Sequence, residues 1–275
     1  GMDVSARMPL LWLALYRRRR MLATLAGGLA LFELLIVLIT RAVPAAAMLA
    51  SAPDVADAFD AFSGSSGGVP LASLPGLLGA GLNHPLWVAL HLTAVCSLAA
   101  AAVASDVEAG TVELVMSRPV SRRRLLGERC LALTAATAGL HVAAAAGLIA
   151  GLGLAPAARA EVGLAGVAAA SVSGLGLTVA VAGLTLAVSA VARRKSHVIG
   201  AGVAVAVVGY ALNFFARAWE PARFLRWASP FHYYRPADAL VAGTVSWADL
   251  AVLLGVGAAG YLAAAALLAR RDLAP

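Results

Sequence analysis

The sequence is poor in charge. Of its 275 residues 13% are Asp, Glu, Lys or Arg and 61% are hydrophobic, where soluble domains carry about 25% charged residues. A water-soluble fold of this length could not cover so apolar an interior, and a disordered chain needs the opposite composition. The expected class is therefore an all-α integral membrane protein. Cysteine is scarce as well. Cys96 and Cys130 lie in or beside apolar runs and give neither a disulfide framework nor a metal spacing. Lysine is almost missing: the one Lys, Lys195, follows Arg194. A GxxxxGK[ST] phosphate loop needs its Lys directly after Gly, so this chain by itself is not a P-loop ATPase. No H-E-x-x-H is present, and His84, His91, His141, His197 and His232 share no ligand spacing, so no metal site is expected. The net charge of +7 sits in short loops, where it orients helices rather than binding nucleic acid.

What is abundant is long apolar runs. A helix needs about 20 apolar residues to cross a bilayer core. Six runs qualify, at about 21–40, 86–105, 126–151, 163–191, 198–216 and 248–269, within a single transmembrane domain, 1–275. They are continuous and lack the period-2 alternation of a barrel strand. With six spans both termini share one side. That side holds 15 basic residues, among them Arg17 to Arg20, Arg122 to Arg124 and Arg193 to Lys195, against 6 on the other. The excess places both termini in the cytoplasm. Ahead of the first span, Met8, Leu11, Trp12 and Leu15 recur at helical spacing before the Arg run, which predicts an interfacial helix over 8–20. On the outer side 41–85 reads as a loop with a Gly/Ser-rich stretch, Ser63–Gly68. Residues 217–247 carry Trp219, Trp227, Tyr233, Tyr234 and Trp247, a density that suits short helices at the outer interface.

The stretch from Asp106 to Arg129 is too polar for the membrane. A helix is expected from Asp106 to Ser117, ended by Pro119, with Ser121 capping the next helix. Glu108, Gly110-Thr111, Glu113-Leu114, Ser117-Arg118-Pro119 and Ser121-Arg122 resemble the cytoplasmic coupling loop of ABC-2 type ABC transporter permeases. Ser229-Pro230-Phe231-His232-Tyr233-Tyr234 is similar to that family's motif before the last span, and Arg270-Arg271-Asp272-Leu273 to its ending. The neighbouring Leu268-Ala269 and Arg129 depart from the family's frequent Phe and Lys at those places. The resemblance implies a permease subunit, by default an exporter, in a bacterial or archaeal plasma membrane. It also implies a separate ATP-binding subunit that binds ATP and Mg and a second permease copy, with spans 1 and 5 near the two-fold axis. The coupling residues would be Glu108, Gly110, Thr111, Glu113, Leu114, Val115, Ser117, Arg118, Pro119, Ser121 and Arg122. Membrane lipid is the remaining partner, and the chain itself would hold no cofactor.

Glu33, His91, His141 and Asn213 fall inside spans. Ionisable residues are costly there and face a cavity or a partner. Glu33, His91 and Asn213 are candidates for the translocation path; the alternative for each is an interhelical hydrogen bond. Gly147 and Gly151 form a small-xxx-small pair that a chain with 27 glycines gives by chance. Two other classes compete. Gly64-Ser65-Ser66-Gly67-Gly68 formally fits a rhomboid-like serine protease motif, though in a Gly/Ser loop. An ion-coupled secondary transporter would need inverted repeats, which are not visible.

Overall fold

The computed structural model describes residues 9–62, 68–111 and 121–270. Among these there are helices and no strands, as a chain that must satisfy its backbone inside lipid requires. Six helical stretches are long and apolar enough to cross a membrane: span 1 Arg19–Ala42, span 2 Leu74–Ala102, span 3 Arg122–Leu154, span 4 Leu164–Val191, span 5 Lys195–Ala218 and span 6 Trp247–Arg270. A separate helix, Pro9–Arg17, precedes them within the stretch 8–20 where an interfacial helix is expected.

Span 2 starts earlier than its apolar run suggested. It consists of two helices, Leu74–Leu82 and Pro85–Ala102, joined at Asn83-His84. Pro85 removes a backbone donor and cannot continue the preceding helix. His84 covers the break, its Nδ1 accepting from the Leu86 N–H at 3.1 Å. The first piece is rich in Gly, hence its reading as loop, yet most of its residues are buried. The rest of 41–85 contains the short helices Ala45–Ala50 and Pro53–Phe62.

Span 4 runs through the centre and packs against spans 2, 3, 5 and 6. Lipid tails are as apolar as leucine, so helices in a bilayer associate through close packing rather than through exclusion from water. The contact between spans 4 and 6 shows how close. A Cβ on Gly183 would lie 2.3 Å from the Gly257 carbonyl oxygen, and one on Gly260 2.2 Å from the Gly183 carbonyl carbon. The Gly147–Gly151 pair serves the same purpose between spans 1 and 3. Gly147 meets the Ala30 backbone and Gly151 the Val37 side chain, at distances that leave no room for a Cβ.

The end away from the Arg runs is capped by the segment between spans 5 and 6. It forms 3-10 helices Glu220–Ala228 and Pro230–Tyr233 and an α-helix Pro236–Ala242. Here the Ser-Pro-Phe stretch acquires a physical meaning. The Ser229 hydroxyl donates to the Gly209 carbonyl at 2.6 Å and accepts from the Phe231 N–H at 3.1 Å. Phe231 and Tyr234 are buried, and the Tyr234 hydroxyl donates to the Leu82 carbonyl at 2.9 Å. Arg235 pairs with Asp249 and, at 3.5 Å, with Asp238. The cap is thus fastened to spans 2, 5 and 6.

The span 4–span 6 contact generates a test. Gly260→Leu has backbone rather than a flexible side chain in its way, so its cost sits at or above the upper end of the usual ~1–3 kcal/mol for overpacking. Gly255, on the same helix, has nothing within 4 Å of its Cβ position. Thermal unfolding in detergent should show a large loss for Gly260→Leu and little change for Gly255→Leu. Equal losses would contradict the packing described.

Candidate functional site

The loop after span 2 is described on both of its flanks. Span 2 breaks at Val103, and a short helix, Ala104–Glu108, follows. The Ala104 N–H donates to the Ser189 hydroxyl of span 4 at 3.2 Å. The short helix ends at once. Gly110 adopts a φ of +67°, the Thr111 N–H bonds to the Asp106 carbonyl at 2.9 Å, and the Gly110 N–H bonds to Val107 at 3.1 Å. This is a Schellman stop, which favours Gly at the left-handed position. The helix expected from Asp106 to Ser117 is therefore corrected: it stops before Gly110, because the Gly-Thr pair terminates it long before Pro119 could. Glu113, Leu114, Val115, Ser117, Arg118 and Pro119 lie outside the described residues. So do Ser66 and the stretch after Arg270. On the far flank Ser121 caps span 3 as expected, its hydroxyl accepting from the Arg124 N–H at 3.2 Å.

Acids and arginines tie these flanks to the rest of the basic face. Asp106 pairs with Arg129 of span 3 at 2.7 Å, and Arg129 also donates to the Ala102 carbonyl. Beside them Arg18, at the start of span 1, donates from Nε to the Ser97 hydroxyl at 3.0 Å. Burial is the main cause that pushes the Arg18 guanidinium below its usual value; Arg17 and Arg129 add to it, and Asp106 opposes them. Glu108 reaches across to span 5, its Oε2 accepting from the Lys195 N–H at 2.7 Å. A carboxylate there meets both an open donor and the positive end of the helix dipole. Arg122 donates to the Leu268 carbonyl near the end of span 6 at 3.2 Å, the complementary arrangement at a helix C-terminus.

Glu128 does for the interfacial helix what Glu108 does for span 5. Its Oε2 accepts from the Leu10 and Leu11 N–H groups at 2.9 and 3.2 Å, while Oε1 accepts from Arg124 Nε at 2.9 Å. The i,i+4 spacing of Arg124 and Glu128 is a local signal that could have located this pair. The grip on Leu10 and Leu11 had no signal in the sequence.

The three residues considered for a translocation path divide between two places, Glu33 and His91 about the Trp87–Tyr234 pair and Asn213 at the cap. Glu33, His91 and Asn213 are 0%, 2% and 1% exposed. Asn213 lines a polar pocket of about 320 Å³ at the cap, with Arg217, Glu220 and His232. His91 belongs to an aromatic cluster centred on Trp87, with ring centroids 4.0 Å from Trp87 and 4.4 Å from His141. His141 bonds to Thr178 of span 4 at 3.1 Å, the interhelical bond considered for it. Trp87 also stacks on Tyr234 at 5.7 Å. Glu33 lies within electrostatic reach of Tyr234, and neither of its carboxylate oxygens has a hydrogen-bond partner among the described residues. Tyr234, expected among the aromatics of the outer interface, is instead fully buried and with Trp87 organises this interior, whereas Trp87 carried no signal.

The described residues thus form a bundle of six membrane-length helices, with the flanks of the polar stretch after the second bonded to four of the others. The family model for ABC-2 family transporter protein matches residues 15–273, and the chain belongs to that family. No curated protein matches it. The chain is thus a multi-pass membrane permease of the ABC transporter class, a family that works with an ABC ATP-binding subunit.

Glu128 is open to a direct test. Glu128→Ala removes the acceptor for Leu10 and Leu11, a loss of about 0.5–2 kcal/mol for a helix cap. Amide hydrogen exchange at Leu10 and Leu11 should accelerate several-fold, with exchange in span 4 unchanged. Wild-type protection in the variant would show that the cap does not hold this helix.

Proposed function

We propose that this permease is the membrane half of an ATP-driven exporter, worked through the loop 106–122 by a separate ATP-binding subunit. The observation that carries the reading is the bracing of that loop. Its described flanks are fastened to span 4 through Ser189, to span 3 through Arg129, to span 5 through Lys195 and to span 6 through Leu268. A partner that moves the loop displaces four spans without having to bend any of them. Two packings of the bundle, one preferred by the closed ATPase, then give a transport cycle. ATP and Mg belong to the partner, and the chain itself carries out no hydrolysis.

The basic face is the cytoplasmic one in this proposal, because the Arg-rich ends of the spans collect there. The membrane is a bacterial or archaeal plasma membrane. A second copy completes the pathway. An apolar groove of about 460 Å³ between spans 2 and 5, lined by Val88, Leu92, Val207, Tyr210 and Phe214, supports span 5 as part of that interface. Span 1 would join it near the two-fold axis, and its exposed Leu31, Leu35 and Ile39 fit such a place.

Orientation and coupling are tested separately. In intact cells Ser196→Cys should resist an impermeant maleimide, and Ser65→Cys should react. The reverse pattern would invert the topology. In the complex with its ATPase, Glu108→Ala should lower transport several-fold while the ATPase stays bound. Glu108→Gln, which keeps an acceptor for Lys195, should restore part of it. Leu114→Asp should instead weaken ATPase association by about tenfold or more, as loss of a buried apolar anchor does, and more than Arg122→Ala. Transport by Glu108→Ala at the wild-type rate and equal expression would remove the coupling role.

A further inference from the structure

Between the interfacial helix, span 1 and span 3 lies a second groove, of about 490 Å³, walled by Trp12, Leu15, Leu22, Ala136 and Gly139 with Arg19 at its edge. Its volume is that of ordinary small-molecule sites, about 300–1,000 Å³. The lining is apolar except at the rim. There the Arg19 guanidinium stacks over the Tyr16 ring, 3.7 Å from its centroid, and donates to the Tyr16 carbonyl at 3.2 Å. Arg19 is thereby positioned, with most of its N–H donors unused. Arg17 and Arg20 flank it and are exposed. Among the described residues none of these three arginines pairs with a carboxylate. Arg18 is the exception in the run, turned inward onto Ser97.

We infer that this groove is a binding site for one anionic phospholipid, with an acyl chain between the interfacial helix and span 3 and the phosphate on Arg19, assisted by Arg17 or Arg20. Charge complementarity selects the occupant. The rim offers guanidinium groups, which bind phosphate through directed N–H donors, and no described acid that would favour the ammonium of a zwitterionic headgroup. A second copy of the chain is a poor occupant, since a two-fold contact here would set one Arg17–Arg20 run against another. The site also has a structural consequence. The interfacial helix has no buried residue of its own and is held at its first turn by Glu128. A lipid in the groove fills the space beneath the rest of it.

The test uses the purified full-length permease in detergent, titrated with phosphatidylglycerol or phosphatidylcholine and read by native mass spectrometry and thermal unfolding. Wild type should retain phosphatidylglycerol preferentially and be stabilised by it. Arg19→Ala should weaken that retention by about fivefold, the effect of one cation near an anionic lipid surface. Gly139→Leu provides the independent check. Nothing lies within 4 Å of a Cβ at that position, so the new side chain enters the groove without disturbing the fold. It should abolish the stabilisation by phosphatidylglycerol and leave lipid-free unfolding unchanged. Equal retention of the two lipids by wild type, or undiminished phosphatidylglycerol binding in both variants, would overturn the proposal. Dissociation of a permease dimer by Gly139→Leu would overturn it as well, by assigning the groove to a second copy.

Discussion

A helix that ends at a membrane surface leaves four backbone N–H groups or four carbonyls open, and this chain has few charged side chains with which to meet them. Where it places its acids therefore decides how the basic face is assembled. Glu108 meets the start of span 5 and Glu128 the start of the interfacial helix. Arg122 and Arg129 supply the opposite need at the carbonyls of Leu268 and Ala102. Each bond joins a helix end to a different helix, so satisfying the backbone and joining the bundle are the same act. The exposed bonds are individually weak. Their value is that together they leave the loop after span 2 with no flank free of the bundle.

The spans were legible because a bilayer imposes a length and a polarity that composition reveals directly. Ser121 was legible because a cap acts on the three residues after it. The braces were not, because their partners are remote: Glu108 and Lys195 are 87 residues apart, and Glu128 and Leu10 118. Periodicity carries no information over such separations. The helix expected from Asp106 failed for a more local reason. That expectation runs one helix through Gly110 as far as Pro119, whereas the positive φ at Gly110 sends the chain out of the helix. Leu74–Leu82 erred the other way. Glycine is a poor helix former in water, but within a packed bundle Gly76 and Gly79 sit where the backbone of a neighbour leaves no room for a Cβ.

The interior poses a different question from the basic face. Trp87 lies at the break of span 2, and its ring touches those of His91, His141 and Tyr234. These come from spans 2 and 3 and from the cap. Tyr234 in turn holds the carbonyl of Leu82, just before the break. The kink of span 2 is thus locked from both sides. Glu33 lies beside this lock with its carboxylate unpaired among the described residues. The cluster binds the cap to the middle of the bundle, which makes the two ends of span 2 mechanically distinct. One is set by aromatic packing and the other by polar bonds, chief among them the partly buried Asp106–Arg129 pair.

That distinction bears on how a displacement would travel. If the loop after span 2 is moved by a partner, the force meets Asp106, Glu108 and Ala104, each bonded to another span. Spans 4 and 6 share a backbone contact too close to slide independently, so they respond as one body. Spans 1 and 3 are joined in the same way through Gly147 and Gly151. Span 5 approaches its neighbours at Gly202, where a Cβ would lie 2.3 Å from the Cys96 sulfur of span 2 and 3.1 Å from the Thr185 methyl of span 4. At its start it is held by Glu108, and near its middle the Gly209 carbonyl is held by Ser229 of the cap. Packed interfaces shift between discrete arrangements rather than deform continuously. Span 5 packs on span 4, on span 2 and on the cap, through side chains rather than through a backbone seam. It also forms one wall of the apolar groove beside span 2, so a change in its position is a change in the width of that groove.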